Sequence, residues 1–129
     1  MLSEHEALLS AARDVRERAY APYSDFAVGA ALETGEGEVF LGCNVENASY
    51  GLTICAERCA VGAAVAAGYR NFEAIAIAGP DGAVTSPCGA CRQVLVEFNP
   101  EMTVIFTTPD GPVITTAAEL LPHYFGPIV

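Results

Sequence analysis

The sequence predicts an α/β protein, a three-layer α/β/α sandwich built on a mixed five-stranded sheet. Three observations carry this reading. An amphipathic helical period opens the chain, two strand-like segments flank a Gly-rich turn, and two later helical stretches each lead into a short apolar run. The expected order is α-β-β-α-β-α-β-β-α, in which a hairpin and helical crossovers mix antiparallel with parallel pairing. The chain of 129 residues, 1–129, reads as a single domain.

The elements follow in order. Ser3 and Glu6 form a capping box. Leu8, Ala12, Val15 and Ala19 then recur at helical spacing, with Arg13, Asp14, Arg16 and Glu17 between them, so a helix is expected over 3–19. Pro22 bars its continuation. Residues 26–33 and 38–45 read as strands joined by the turn Thr34-Gly35-Glu36-Gly37. An Ala-rich helix is expected over 55–67, with Gly68 as its stop. Residues 73–79 are almost wholly apolar, as in a central strand. After the turn Pro80-Asp81-Gly82, a helix runs from 87 or 88 to about 99. Residues 102–107 read as another buried strand, 113–115 as an edge strand beyond Pro109-Asp110-Gly111, and 116–121 as a short helix. Repeats, linkers and low-complexity segments are absent from the sequence.

Composition narrows the partners. Hydrophobic residues make up 52% of the chain, and sixteen acids against six bases give a formal charge of −10. That sign argues against a nucleic-acid partner and against an anionic membrane surface. A small neutral or cationic ligand fits better. The first residues lack the basic start and apolar run of a secretory signal, and the longest apolar stretch, about 59–68, is shorter than the roughly 20 residues of a membrane span. The expectation is a soluble cytoplasmic protein. In that compartment Cys43, Cys55, Cys59, Cys88 and Cys91 are ligands, nucleophiles or core fillers rather than disulfides.

The strongest chemical signal is Cys55-Ala56-Glu57 followed by Pro87-Cys88-Gly89-Ala90-Cys91. Cys88 and Cys91, at i and i+3, can share a metal at a helix start, and Cys55 opens another helix. Three thiolates leave zinc one open position, the mark of a catalytic rather than structural centre. Water held there is made acidic, and Glu57, close to the metal but badly placed to bind it, can accept the proton. Zinc on three thiolates carries a net negative charge, which weakens its Lewis acidity. Two helix N-termini offset this, as do Arg58 and Arg92, which are expected to hydrogen-bond the thiolates. Alternatives stand beside this reading. Cys88-x-x-Cys91 alone also fits a redox pair or half of a structural site. Cys59, one turn after Cys55, could close an all-cysteine centre, although it opens onto the packing face of Ala60, Ala63, Ala64 and Ala67. Read alone, Asn44 is a loop-capping amide, Glu46 a solvent-facing carboxylate and Phe26 a core residue. Cys43 reads as core, and His5 and His123 are too isolated to be ligands.

These stretches resemble the small tetrameric cytidine deaminases, whose zinc signature has a three-cysteine form with a glutamate that is not a ligand. The resemblance includes Thr53-Ile54-Cys55-Ala56-Glu57-Arg58 and Ser86-Pro87-Cys88-Gly89-Ala90-Cys91-Arg92-Gln93. It extends through residues 20–31 and 42–50 to Leu120-Leu121-Pro122 and Phe125, nearly the whole chain. It implies a cytidine deaminase-like fold and hydrolytic deamination of cytidine and 2′-deoxycytidine to uridine and 2′-deoxyuridine plus ammonia, in pyrimidine salvage. It implies one Zn2+ per subunit on Cys55, Cys88 and Cys91, and a proton shuttle at Glu57. It implies that Asn44 and Glu46 bind the ribose hydroxyls, that Phe26 packs on the nucleoside, and that Ala56 lies among the substrate contacts. It implies too that Tyr50, with Ala48, belongs to a loop that reaches a neighbouring site and that Phe125 enters a neighbour's pocket, and so a homotetramer.

Three rivals remain. A deaminase of a nucleoside antibiotic such as blasticidin S resembles the chain around the cysteines but differs at Asn44-Val45-Glu46 and at Arg58. A base-editing enzyme on tRNA or DNA needs a basic groove. A zinc-stabilised binding module would use Cys59 as the fourth ligand.

Overall fold

The computed structural model describes residues 3–127, so Met1, Leu2, Ile128 and Val129 lie outside the described residues. Helix α1 spans Glu4–Arg16, with the Ser3 side chain accepting from the Glu6 amide as the capping box requires. Strand β1 covers Gly29–Thr34, β2 Val39–Cys43, β3 Phe72–Ala78, β4 Thr103–Phe106 and β5 Val113–Thr116. Helix α2 is Ala56–Ala66, α3 is Gly89–Phe98 and α4 is Ala117–Leu120. The five strands lie in the order β2-β1-β3-β4-β5. Only β3 and β4 run parallel; the other neighbours are antiparallel, so the sheet is mixed and β3 is central.

Alternation along the strands divides the core in two. Ala31, Ala74, Ala76, Ala78 and Ile105 meet Leu8, Leu9 and Ala12 of α1 on one face. Leu32, Phe72, Ile75, Ile77, Val104 and Phe106 meet α2 and α3 on the other. The α1 face is paved with alanine because the helix lies close. A Cβ at Gly29 would stand 2.0 Å from the Ala12 carbonyl oxygen. On the opposite face a Cβ at Gly42 would stand 2.4 Å from the Ala56 carbonyl oxygen, so α2 starts against β2. Gly68, at φ 97°, takes the left-handed turn that ends α2.

Two boundaries differ from the expectation for one reason. Helix α1 ends at Arg16 rather than 19, and β1 begins at Gly29 rather than 26. The intervening backbone is claimed by residues 44–46. Tyr20 donates to the Asn44 carbonyl at 3.0 Å and accepts from the Glu46 amide at 2.8 Å. The Asn44 side chain replaces ladder bonds, accepting from the Val28 amide at 2.9 Å and donating to the Phe26 carbonyl at 2.8 Å. On its other side Val45 pairs with Ile54, both bonds being 2.9 Å. Cys55 is thereby fixed one residue beyond Ile54, the partner of the Val45 that Asn44 and Glu46 flank. A short 3-10 turn at Tyr50–Leu52, not expected from the sequence, completes the intervening loop.

Candidate active site

Cys55 is the N-cap of α2 and Cys88 the N-cap of α3, both with extended backbone and neither thiol engaged in capping. Cys91 lies in the first turn of α3 and is buried. The sulfurs of Cys55 and Cys88 are 3.8 Å apart, and those of Cys88 and Cys91 are 3.5 Å apart. Tetrahedral zinc with Zn–S bonds of about 2.3 Å requires sulfurs about 3.8 Å from each other. The trio therefore fits one zinc ion. Among the described residues these three cysteines form the one such ligand group, and Cys59 is not part of it. A tetrahedral ion on this trio keeps one position for water.

The surroundings favour the thiolate of Cys55. Cys55 is lowered to about 5, first by donation from the Cys91 thiol and then by the Arg58 guanidinium. The same sharing holds the Cys91 proton on, raising that thiol. Arg58 Nη2 donates to Cys55 Sγ at 3.6 Å. The positive ends of α2 and α3 act in the same direction. Arg92 departs from the expectation: it reaches no sulfur. Its Nε donates to the Pro87 carbonyl at 2.7 Å and its Nη1 to the Leu120 carbonyl at 2.9 Å. The guanidinium's rigid fork suits two carbonyls, and from the first turn of α3 it clamps the loop that delivers Cys88.

Glu57 is buried, and its carboxyl is pushed up to about 7. Burial is the main cause; its own backbone amide opposes it, and the Cys55 charge adds to it. A carboxyl in that range both takes and gives protons near neutrality.

These groups open onto a cleft of about 250 Å³. Of the predicted substrate contacts, Phe26, Asn44, Glu46 and Ala56 line it together with Glu57. Asn44 is 8% exposed, and its amide also ties the cleft wall. Glu46 accepts from the Tyr23 amide at 2.9 Å and the Ser24 amide at 3.1 Å through Oε1, and from the Ser24 hydroxyl through Oε2. The Ser24 hydroxyl is the chief reason the Glu46 carboxyl lies below its ordinary value. The loop-tying behaviour of Asn44 and Glu46 and their place in the cleft therefore coexist.

Tyr50 and Phe125 are not brought into this cleft. Tyr50, 74% exposed, borders an adjoining hollow and meets the Tyr23 ring edge-on, with centroids 5.9 Å apart. Phe125 is 80% exposed, its carbonyl accepting from Gln93 Nε2 at 2.6 Å. Sequence reasoning missed Ser24, Val28, Thr53, Val84, Thr85 and Ser86 as lining. Thr85 and Ser86 directly precede Pro87-Cys88, so adjacency to the ligand motif could have found them. Ser24 carries only a turn signal.

Comparison with known proteins agrees with this geometry. A family model for the cytidine and deoxycytidylate deaminase zinc-binding region matches residues 2–107. A cytidine deaminase of Sporosarcina psychrophila is 48% identical over 122 residues, covering 93% of this chain and 90% of that protein. The crystal structure of cytidine deaminase from Burkholderia pseudomallei superposes with a TM-score of 0.90 at 53% identity, covering 96% of this chain and 100% of that one. That of cytidine deaminase from Mycobacterium tuberculosis gives 0.84 at 41% identity, covering 98% and 100%. With three cysteine sulfurs gathered at two helix starts, a buried glutamate beside them, and this likeness along nearly its whole length, the chain belongs to the zinc-dependent cytidine deaminase family.

Proposed function

We propose that the protein hydrolyses cytidine and 2′-deoxycytidine to uridine and 2′-deoxyuridine with release of ammonia, for pyrimidine salvage in the cytoplasm. The observation that carries this is the buried Glu57 beside the Cys55, Cys88 and Cys91 cluster, in a cleft that Asn44 and Glu46 border. Cys55, Cys88 and Cys91 would hold a zinc ion, which would supply the Lewis acidity that makes a water nucleophilic near neutral pH. Glu57 takes a proton from the water that adds to the amine-bearing carbon and delivers it to the adjacent ring nitrogen. It then takes the proton of the new hydroxyl and hands it to the amine, which leaves as ammonia. One water is consumed for each ammonia, and the ring nitrogen keeps its proton. The backbone amides in the first turns of α2 and α3 add positive potential where charge develops.

The substrate is a nucleoside rather than a nucleotide. No Lys, Arg or His lines the cleft or the adjoining hollow among the described residues, whereas the Glu46 carboxylate borders both. A phosphate there would meet negative charge without a partner. The net charge of −10 supports the same exclusion for nucleic acid. Among the described residues no helix is long and apolar enough to cross a membrane. A homotetramer is part of the proposal: Tyr50, Leu52, Ile114 and Phe125 are all more than half exposed, and apolar exposure of that kind fits subunit contacts. The test is a panel of cytidine, 2′-deoxycytidine, cytidine monophosphate and blasticidin S with zinc-loaded protein, following uridine and ammonia. Turnover of the two nucleosides alone is expected. Turnover of blasticidin S without cytidine would overturn the substrate assignment.

A further inference from the structure

We propose that Ser24 is a positioning residue for sugar recognition, setting the Glu46 carboxylate and joining it to Phe26 and Asn44 in one hydrogen-bonded unit. The inference rests on the cytidine deaminase reading and extends it to a residue outside the ligand and proton-transfer motifs. The Ser24 hydroxyl accepts from the Phe26 amide at 3.1 Å and donates to Glu46 Oε2. The Phe26 carbonyl accepts from Asn44 Nδ2, and Asn44 Oδ1 accepts from the Val28 amide, so the connection runs unbroken from Glu46 to Asn44. Asp25 sits at φ 56°, a left-handed turn that lets the Ser24 hydroxyl meet the amide two residues on.

Counting acceptors sharpens the role. A carboxylate offers about four acceptor positions. The Tyr23 amide, the Ser24 amide and the Ser24 hydroxyl occupy three of those on Glu46, two on Oε1 and one on Oε2. The remaining position lies on Oε2 and takes a single sugar hydroxyl. Among the described residues Ser24 supplies the one protein hydrogen bond to Oε2, so its loss frees that oxygen to turn away. The turn itself keeps the Asp25 amide bond to the Ala21 carbonyl at 3.0 Å, and Ser24 is exposed. Removing the hydroxyl leaves the Phe26 amide to water, since Phe26 is 38% exposed, and disturbs Glu46 rather than the turn.

The test compares wild type, Ser24→Ala and Ser24→Thr on cytidine and on 2′,3′-dideoxycytidine, which lacks both hydroxyls Glu46 could accept. A charge-assisted hydrogen bond corresponds to about a tenfold change in binding. Ser24→Ala is expected to raise KM for cytidine about tenfold with kcat within about twofold, and to leave kcat/KM for the dideoxy substrate at the wild-type value. Ser24→Thr, which keeps the hydroxyl, restores KM. In the Glu46→Gln background, Ser24→Ala adds no further loss. Normal cytidine turnover with an unchanged KM in Ser24→Ala would overturn this inference and leave the deaminase reading standing. Equal losses on both substrates would also overturn it, by reducing Ser24 to a structural residue. If wild type fails on cytidine altogether, the deaminase reading falls and this inference falls with it. Should Ser24→Ala not fold, the Glu46→Gln measurement decides: its loss must be larger on cytidine than on dideoxycytidine, and equal losses on the two refute the role.

Discussion

Asn44→Ala is expected to cost more stability than an ordinary polar truncation near a cleft. The wild-type amide is buried and makes two bonds of 2.9 and 2.8 Å to the Val28 amide and the Phe26 carbonyl. Truncation strands one backbone donor and one acceptor, each costing about 1–3 kcal/mol when buried. Phe26 is 38% exposed, so water recovers part of the carbonyl's share. The net expectation is about 2–3 kcal/mol. For a chain of this length each kcal/mol moves Tm by about 3–5 °C, giving a fall of about 6–15 °C. Asn44→Asp should be at least as harmful, because it turns an oxygen toward the Phe26 carbonyl in place of a donor. The assay is calorimetry of zinc-loaded, substrate-free protein at one fixed protomer concentration, since oligomerisation would otherwise shift Tm. A Tm within about 2 °C of wild type for Asn44→Ala would refute the claim that this amide replaces part of the β1 ladder.

Further outcomes follow from the metal centre and the packing. Cys59→Ala should keep one zinc per chain and activity within about threefold, because its sulfur is outside the ligand group; metal analysis and turnover check this. Arg92→Ala should weaken zinc affinity by about 10–100-fold through release of the Pro87 carbonyl, measured by chelator competition, with no change in thiolate count. Gly42→Ala places a Cβ 2.4 Å from backbone oxygen of α2, so a loss of more than about 3 kcal/mol, or of soluble protein, is expected in urea unfolding.

The metal centre was legible because its information is local. Spacing put Cys88 and Cys91 on one turn, helix-start signals put Cys55 and Cys88 at caps, and Glu57 two residues past a ligand had few other places to go. The sheet was legible from short apolar runs that are buried almost throughout, as in β3. What failed was long-range. Nothing near Arg16 shows that Tyr20 pairs with residues 44–46, and nothing near Phe26 shows that a side-chain amide serves its backbone. The end of a long side chain is also hidden: Arg58 and Arg92 stand equally close to cysteines in sequence, yet one meets a sulfur and the other two carbonyls. Ser24 escaped notice because a turn serine is common, and its importance appears only once Glu46 is placed. Tyr50 and Phe125 stand outside the cleft within one chain, and their assignment rests on neighbouring subunits.

The most direct test of the central claim is single-turnover conversion of cytidine by Glu57→Gln beside wild type, with zinc content measured on the same samples. Glutamine keeps the size of the side chain but cannot carry the proton. The account predicts one zinc per chain in both proteins and a loss of at least about 10²-fold in the chemical step for the variant. A zinc-replete variant converting cytidine at the wild-type rate would show that Glu57 is not the proton carrier and would contradict the mechanism.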